Sequence, residues 1–281
     1  MLAVKAARLR LALCAPVAVL CVLAGCGQGG SSTEAKPLNL ELTESGDNTS
    51  YSGTPREVPA GLVRVSLKNG GKTPHEAQMV RVDGEHTADE VVQVISREGG
   101  PIPEWLHPAG GVSITPPGQT TTAVQPLEEG THHVLDLQSE GPSKGAQATF
   151  NVTGGGGDAE PPEAPATVTA SEYKFETSGL KPGKNRVRFD NAGQEYHHVI
   201  MAPIKPGKTI DDARKFLSTE KGEPPIDEEK SVSSAVIDAG SSQVIDLELE
   251  KGKYAAVCFI SDRKGGPPHA AKGMLMEVDV Q

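Results

Sequence analysis

The feature that most constrains this chain is an internal repeat at a constant spacing of 122 residues. Residues of the first half recur in the second half without a gap. Matched pairs are Tyr51 and Tyr173, Arg64 and Arg186, Asn69 and Asn191, His75 and His197, Met79 and Met201, and Gly130 and Gly252. A single offset held over this distance indicates a tandem duplication. Each half is therefore an internal control for the other.

Each copy has the sequence pattern of a β-sandwich. Residues 62–67 and 185–189 alternate as strands and end at Asn-Gly or Asn-Ala-Gly turns. Thr87 and Thr209 have the position of N-caps for short amphipathic helices over 88–96 and 210–217. Later strands are predicted at 120–125, 132–137 and 150–152, and at 243–249, 254–260 and 275–280. We therefore expect an all-β chain of two tandem Greek-key β-sandwich domains, each with a short helical excursion.

The first 26 residues have the pattern of a bacterial lipoprotein signal peptide. A basic start precedes an apolar run at 11–23 that is short for a membrane span. The run closes on Leu-Ala-Gly before Cys26, which resembles a lipobox. We expect 1–26 to be the signal peptide and Cys26 to be lipidated, anchoring the protein on the extracytoplasmic face of the bacterial cell membrane. An ordinary secretory signal with an incidental cysteine is the alternative.

The composition of the rest of the chain indicates its domain boundaries and disfavours one class of partner. We expect a flexible tether at 27–37, a first domain at 38–152 and a second domain at 166–281. The segment 153–165 is rich in Gly, Pro and acidic residues and is predicted to be a linker. A net charge of −10 argues against a nucleic-acid partner, which would favour a basic face.

The cysteines draw attention to one position. Cys14 and Cys21 leave with the predicted signal peptide and Cys26 is assigned to lipid, so Cys258 has no cysteine with which to form an internal disulfide. A lone thiol of this kind is buried and inert, reactive, or a metal ligand.

Cys258 belongs to a set of residues whose types suit copper. His197 begins a middle strand of the second copy, Cys258 ends the penultimate strand, and His269 and Met274 lie before the last strand. Two imidazoles, a thiolate and a weak axial thioether are the ligands of electron-transfer copper sites. Taken one at a time, each residue could instead be a core or surface residue of the sandwich.

The second half resembles the cupredoxins, the plastocyanin-type family. The segment 189–193 with His197 is similar to the family's first histidine strand, and Cys258 with His269 and Met274 is similar to its C…H-x4-M ligand loop. The resemblance implies a cupredoxin fold, with His197 and His269 as equatorial ligands, Cys258 as thiolate and Met274 as axial ligand of one copper ion. Ten residues separate Cys258 from His269, a longer loop than in plastocyanins.

The first copy is predicted to lack this site. It keeps His75, but Asp136 stands at the cysteine position and Ala146 at the methionine position. No histidine aligns with His269, and the loop is six residues shorter. A separate copper or zinc site among its five histidines is a weaker alternative; these are His75, His86, His107, His132 and His133.

These observations predict a lipid-anchored protein that transfers electrons or holds copper through its second domain, with a redox or copper-transfer protein as partner. We expect it not to be an enzyme. A multicopper oxidase in particular is disfavoured, because neither copy has the paired His-x-His elements of a trinuclear copper cluster. Two alternatives remain. One is a metal-free scaffold or ligand-binding lipoprotein. The other is a Cu(I) chaperone that uses Met201, Met274 and Met276 with histidine.

Overall fold

The protein consists of two copies of one β-sandwich that share a sheet. The structure is a computed structural model, and it describes residues 34–46, 48–138, 145–154, 160–219 and 221–281. The predicted signal peptide, Cys26 and most of the predicted tether lie outside these residues. In the described part of the chain, the helices are too short or too polar to cross a membrane.

The first copy is built from short strands because its apolar residues alternate with polar ones. In the strand over Gly61–Asn69, Val63, Val65 and Leu67 are buried while Arg64 and Lys68 point to solvent. Its elements are β1 (Lys36–Ser45), β2 (Asn48–Ser52), β3 (Glu57–Pro59), β4 (Gly61–Asn69), β5 (His75–Val82), α1 (Ala88–Ile95), β6 (Leu106–Thr115), β7 (Thr120–Leu127), β8 (Gly130–Leu135) and β9 (Gln147–Thr153).

The second copy repeats most of these elements at the spacing of the sequence repeat. Its elements are β10 (Ala166–Ser171), β11 (Lys174–Ser178), β12 (Gly183–Asn191), β13 (Ile200–Pro203), α2 (Ile210–Thr219), β14 (Val232–Ser233), β15 (Ser242–Leu249), β16 (Gly252–Val257) and β17 (Leu275–Val280). Strands β12, β15 and β16 lie 122 residues after β4, β7 and β8 at both ends. The duplication is therefore one of structure as well as sequence.

Three sheets make up the two sandwiches. An eight-stranded sheet has the order β11-β10-β12-β15-β7-β4-β1-β2 and contains strands of both copies. The first copy adds the sheet β3-β9-β8-β5-β6, and the second adds β14-β13-β16-β17. The pairs β1–β4 and β10–β12 are parallel, while most other pairs are antiparallel. Mixed order of this kind arises from Greek-key connections, and the all-β sandwich class is confirmed.

The two copies meet through equivalent strands. Strand β15 pairs antiparallel with β7, and Ile245 lies opposite Ala123, which is its own counterpart in the repeat. Buried Gln78 adds a clamp across this junction. Its Nε2 donates to the carbonyls of Gly110 (3.0 Å) and Val236 (3.1 Å), and its Oε1 accepts from Val236 N–H (2.8 Å). The copies are thus joined by backbone pairing and by a satisfied amide.

The helices begin where the sequence predicts. Thr87 caps α1 in a capping box with Glu90, and Thr209 and Asp212 exchange the same bonds at the start of α2. Lys36 and Pro37, which the sequence assigns to the tether, pair with β4 in β1. The segment 160–165 leads directly into β10, and residues 155–159 lie outside the described part. The domain boundaries stay a prediction.

We predict that Gln78→Leu lowers the free energy of unfolding by about 2–4 kcal/mol, because buried backbone groups of both copies lose their partner. Urea denaturation followed by circular dichroism measures this change. Gln93→Leu, on the exposed face of α1, is the matched control and should stay within about 0.5 kcal/mol of the parent protein. Equal transition midpoints for the two variants would contradict the clamp.

Candidate metal centre

Three side chains of the second copy converge at one end of its sandwich. His197 lies after β12 and is held by a bridge to Ile237, Cys258 directly follows β16, and His269 begins a 3-10 turn over His269–Lys272. Nδ1 of His197 and Nδ1 of His269 are 3.2 Å apart, and Cys258 Sγ lies 3.8 Å and 3.6 Å from them. Among the described residues, this is the group of histidine, cysteine or acidic side chains that could hold a metal ion.

The spacing of the three atoms fits one shared ion. Two nitrogens and a sulfur at zinc-like bond lengths of about 2.0–2.3 Å lie roughly 3.3–3.8 Å apart when the angles at the ion are between tetrahedral and trigonal. The observed distances of 3.2–3.8 Å are close to this range. Nε2 of His269 is bonded to Asp262 Oδ1 at 3.1 Å, so the imidazole presents its Nδ1 lone pair to the other two atoms. Together with the Cys258 thiol and the His197 imidazole, this nitrogen makes up the donor set of a copper site.

The three side chains are withdrawn from water, and this shifts their ionisation. His197, Cys258 and His269 are each fully buried. Burial lowers the pKa of His197 to about 4, with a further contribution from His269, and burial also lowers the pKa of His269. Burial raises the pKa of Cys258 to about 11, although backbone N–H groups of His198 and Ile260 act in the opposite direction. The imidazoles are neutral at pH 7, which is the form that binds a metal ion.

Met274 lies at the end of the loop that carries His269, and its role as the axial ligand stays a prediction. Its side chain is fully buried and precedes β17. Its backbone N–H donates to the carbonyl of His269 at 2.9 Å, and its carbonyl accepts from Cys258 N–H at 3.4 Å. These bonds hold the loop in place, because they link the backbones of Cys258, His269 and Met274.

A charged cluster covers His269 on its outer side. Asp262 accepts from His269 Nε2, from Lys272 Nζ, and from the Tyr173 hydroxyl at 3.1 Å. The Tyr173 ring meets His269 edge-on with ring centroids 5.3 Å apart. Among the described non-glycine residues, Tyr173 is the one with a positive φ, at 62°. A bulky side chain in this region is strained, and the contacts with His269 and Asp262 keep it there.

Close packing also supports His197 and Cys258. A Cβ on Gly193 would lie 2.5 Å from Glu172 Oε1 and 3.2 Å from His197 Nε2, so a larger residue here would displace the Glu172 carboxylate and crowd this imidazole. His198 points elsewhere and accepts a hydrogen bond at Nε2 from Phe259 N–H at 3.0 Å. Burial lowers the pKa of His198 to about 4, which keeps Nε2 free to accept. This bond holds the backbone that directly follows Cys258.

The sequence did not identify this outer set of residues. Asp262 lies within the long loop, and Tyr173 lies on the turn between β10 and β11, far from the ligands in the chain. The sequence signal that was available is weak: a tyrosine in a two-residue hairpin turn, a position that favours Gly, Asn or Asp.

In the first copy a hydrogen-bonded triad fills the corresponding position. His75 Nδ1 lies 2.8 Å from Asp136 Oδ2, and its Nε2 lies 2.8 Å from Glu44 Oε1. The His75 bond, with help from Thr73, lowers the pKa of Glu44 to about 2. Both nitrogens of the imidazole are thus bonded to carboxylates. This arrangement explains why the histidine is kept although cysteine is replaced by aspartate.

The other histidines of the first copy are engaged separately. His107 lies between Asp83 and Asp238, at 2.9 Å and 3.1 Å. His133 bonds Thr149 and the carbonyl of His86, while His132 bonds the carbonyl of Gly130. In the described part of the chain, these side chains do not form a histidine cluster that could hold a metal ion.

Comparisons with known proteins concern the fold. No family model matches the chain, and neither does any curated protein sequence. Solved structures do match. A reduced auracyanin from the photosynthetic bacterium Roseiflexus castenholzii is 15% identical with a TM-score of 0.28; the match covers 41% of this chain and 94% of auracyanin. A copper nitrite reductase from Nitrosomonas europaea is 15% identical with a TM-score of 0.29, covering 88% of this chain and 94% of the reductase. A multicopper oxidase is 15% identical with a TM-score of 0.25, covering 87% and 88%.

The similar structures are cupredoxin-like proteins and copper enzymes. At 15% identity the likeness concerns the fold alone. The His-Cys-His group of the second copy is a candidate metal site whose donor types suit copper.

One expectation from the sequence is wrong. The sequence predicts a protein that is not an enzyme, and the missing His-x-His elements disfavour a multicopper oxidase. The similar structures include a nitrite reductase and a multicopper oxidase, which are enzymes. A missing trinuclear motif concerns one class of copper chemistry, so it does not separate a cupredoxin-like carrier from a cupredoxin-like enzyme.

We predict that Asp262→Asn weakens binding of Cu(II) by about 10–100-fold, because His269 loses the carboxylate that orients its imidazole. Equilibrium competition with a chelator measures the affinity. Asp246→Asn, at an exposed position of β15, is the matched control and should bind like the parent protein. If Asp262→Asn binds Cu(II) as tightly as Asp246→Asn, the outer carboxylate does not orient the ligand.

Proposed function

We propose that the second copy, residues 166–281, holds a single copper ion and serves in electron transfer or copper holding. His197, Cys258 and His269 would be the equatorial ligands and Met274 the axial ligand. The observation that carries the proposal is the triangle of two Nδ1 atoms and one Sγ with sides of 3.2–3.8 Å, inside a buried end of a cupredoxin-like sandwich.

The bound ion would supply one-electron chemistry, and the chain's own residues prepare the site for it. The buried frame excludes water from the three donors. Asp262 holds the imidazole of His269, and the backbone bonds among Cys258, His269 and Met274 fix the loop. A frame that holds its donors in place before the ion arrives limits rearrangement between Cu(I) and Cu(II).

The first copy, residues 38–152, is proposed to be a spacer or partner-binding module. Its triad of Glu44, His75 and Asp136 supports this role, because the imidazole is bonded to carboxylates on both sides and has no free nitrogen for a metal ion. A redox or copper-transfer protein is the expected partner of the pair.

We further propose that a lipid on Cys26 tethers the protein to the extracytoplasmic face of the cell membrane. The lipobox pattern of residues 23–26 supports this placement. Expressed in a bacterial host, the full chain should be recovered with the membranes, and Cys26→Ser should be released in soluble form or retained as uncleaved precursor. Incorporation of labelled palmitate into Cys26→Ser at the level of the parent protein would contradict the assignment.

The copper proposal is tested by adding Cu(II) to the purified full chain. We expect intense visible absorption from thiolate-to-copper charge transfer at one equivalent, because Cys258 Sγ would bind the ion directly. The absorption should be lost in Cys258→Ser. His75→Ala, the equivalent histidine of the first copy, is the matched control and should keep it.

Two other results would contradict this account. Tight but colourless binding of Cu(I), with no Cu(II) absorption, would indicate a copper chaperone. No binding of either ion would indicate a metal-free scaffold. Isothermal titration with both ions separates these outcomes.

A further inference from the structure

A large cleft lies between the two copies, against the loop that carries the candidate ligands. Its volume is about 860 Å³, within the range of about 300–1,000 Å³ typical of small-molecule sites. One wall comes from the first copy and includes Val80, Ile102 and Leu137. The other comes from the metal loop and includes Phe259 and Ala271.

The walls are apolar and partly made of rings. Prolines at 108, 267 and 268 line the cleft beside Phe259 and Tyr196. Phe259 is 41% exposed, and it is the large apolar side chain that the described surface leaves open to solvent. Flat apolar walls of this kind favour an aromatic molecule, since ring faces gain from burial and from stacking.

The polar groups of the cleft are already satisfied or offset one another. Gln78 is bonded across the junction, and the Tyr196 hydroxyl donates to the carbonyl of Leu106 at 2.7 Å. Arg97 and Glu98 are neighbours in the lining and carry opposite charges. The cleft therefore provides no net charge for an ionic ligand.

Backbone contacts between the copies keep the cleft in shape. Gly266 N–H donates to the carbonyl of Gly99 at 3.0 Å, and Ile102 N–H donates to the carbonyl of Arg263 at 2.8 Å. A Cβ on Gly265 would lie 2.6 Å from the Gly99 carbonyl oxygen, so glycine is required where the two loops touch. A site formed before its ligand binds loses less free energy on ordering.

We propose that this cleft binds an uncharged aromatic organic molecule beside the metal loop. The inference goes beyond the copper proposal and does not require the ion. Because Phe259 follows Cys258 and Ala271 lies two residues after His269, such a molecule would rest on the chain segment that holds the candidate ligands.

The test uses the metal-free full chain and the uncharged fluorophore N-phenyl-1-naphthylamine. Trp105 is the single tryptophan of the chain and directly precedes Leu106, which lines the cleft. We expect saturable binding of one molecule with energy transfer from Trp105. Ala271→Phe should weaken it by about tenfold or more, because the added ring occupies the site. Glu248→Phe adds the same ring at an exposed position of β15 and should leave binding unchanged.

A second variant keeps the test decisive if Ala271→Phe does not fold. Phe259→Asp removes an exposed apolar side chain, and it should also weaken binding relative to Glu248→Phe. The absence of energy transfer in the parent protein, or equal affinity in all the variants, overturns the proposal. The related sulfonate 1-anilinonaphthalene-8-sulfonate should bind no more tightly than the uncharged probe, and a tenfold preference for it would contradict an uncharged ligand.

Discussion

The structure depends on bringing two imidazoles and a thiol together where no water competes for them. Nδ1 of His197, Nδ1 of His269 and Sγ of Cys258 lie 3.2–3.8 Å apart, in side chains that are fully buried. Placing three polar donors in an apolar interior is costly unless a partner satisfies them. The outer bond from Asp262 and the backbone bonds of the loop orient the donors, and an ion at their centre would complete their bonding.

The two copies provide partners for the buried histidine at equivalent positions in two different ways. In the second copy, a long loop presents Cys258 and His269 to His197. In the first copy, Asp136 replaces the thiol, the loop is short, and a carboxylate lies on each side of His75. The same buried imidazole is therefore satisfied by a proposed metal ion in one copy and by two acids in the other. The shared eight-stranded sheet makes the copies one structural unit although their interiors have diverged.

The sequence predicted the parts of this protein that local patterns determine. Alternating residues located β4 and β12, and threonine caps located both helices, because these signals act within a few residues. No local signal locates β1 and β10, which lie one strand in from the edges of the eight-stranded sheet and pair in parallel with β4 and β12. One matched pair of the sequence repeat is not equivalent in the structure. Tyr51 lies opposite Leu42 in the first copy, and the residue at the same place in the second copy is Phe175, which lies opposite Ala170. Tyr173 is therefore a turn residue rather than the equivalent of Tyr51.

The same limit of prediction from local sequence applies to the candidate metal site. His197, Cys258 and His269 could be selected by residue type and order, but Asp262 and Tyr173 have roles only through contacts between distant segments. The cleft between the copies likewise exists only after the two sandwiches have joined. X-ray absorption at the copper edge of the loaded full chain tests the central claim most directly. The account predicts one short sulfur ligand and two imidazole nitrogens, with the sulfur lost in Cys258→Ser. A spectrum with only nitrogen and oxygen ligands in the parent protein would contradict it.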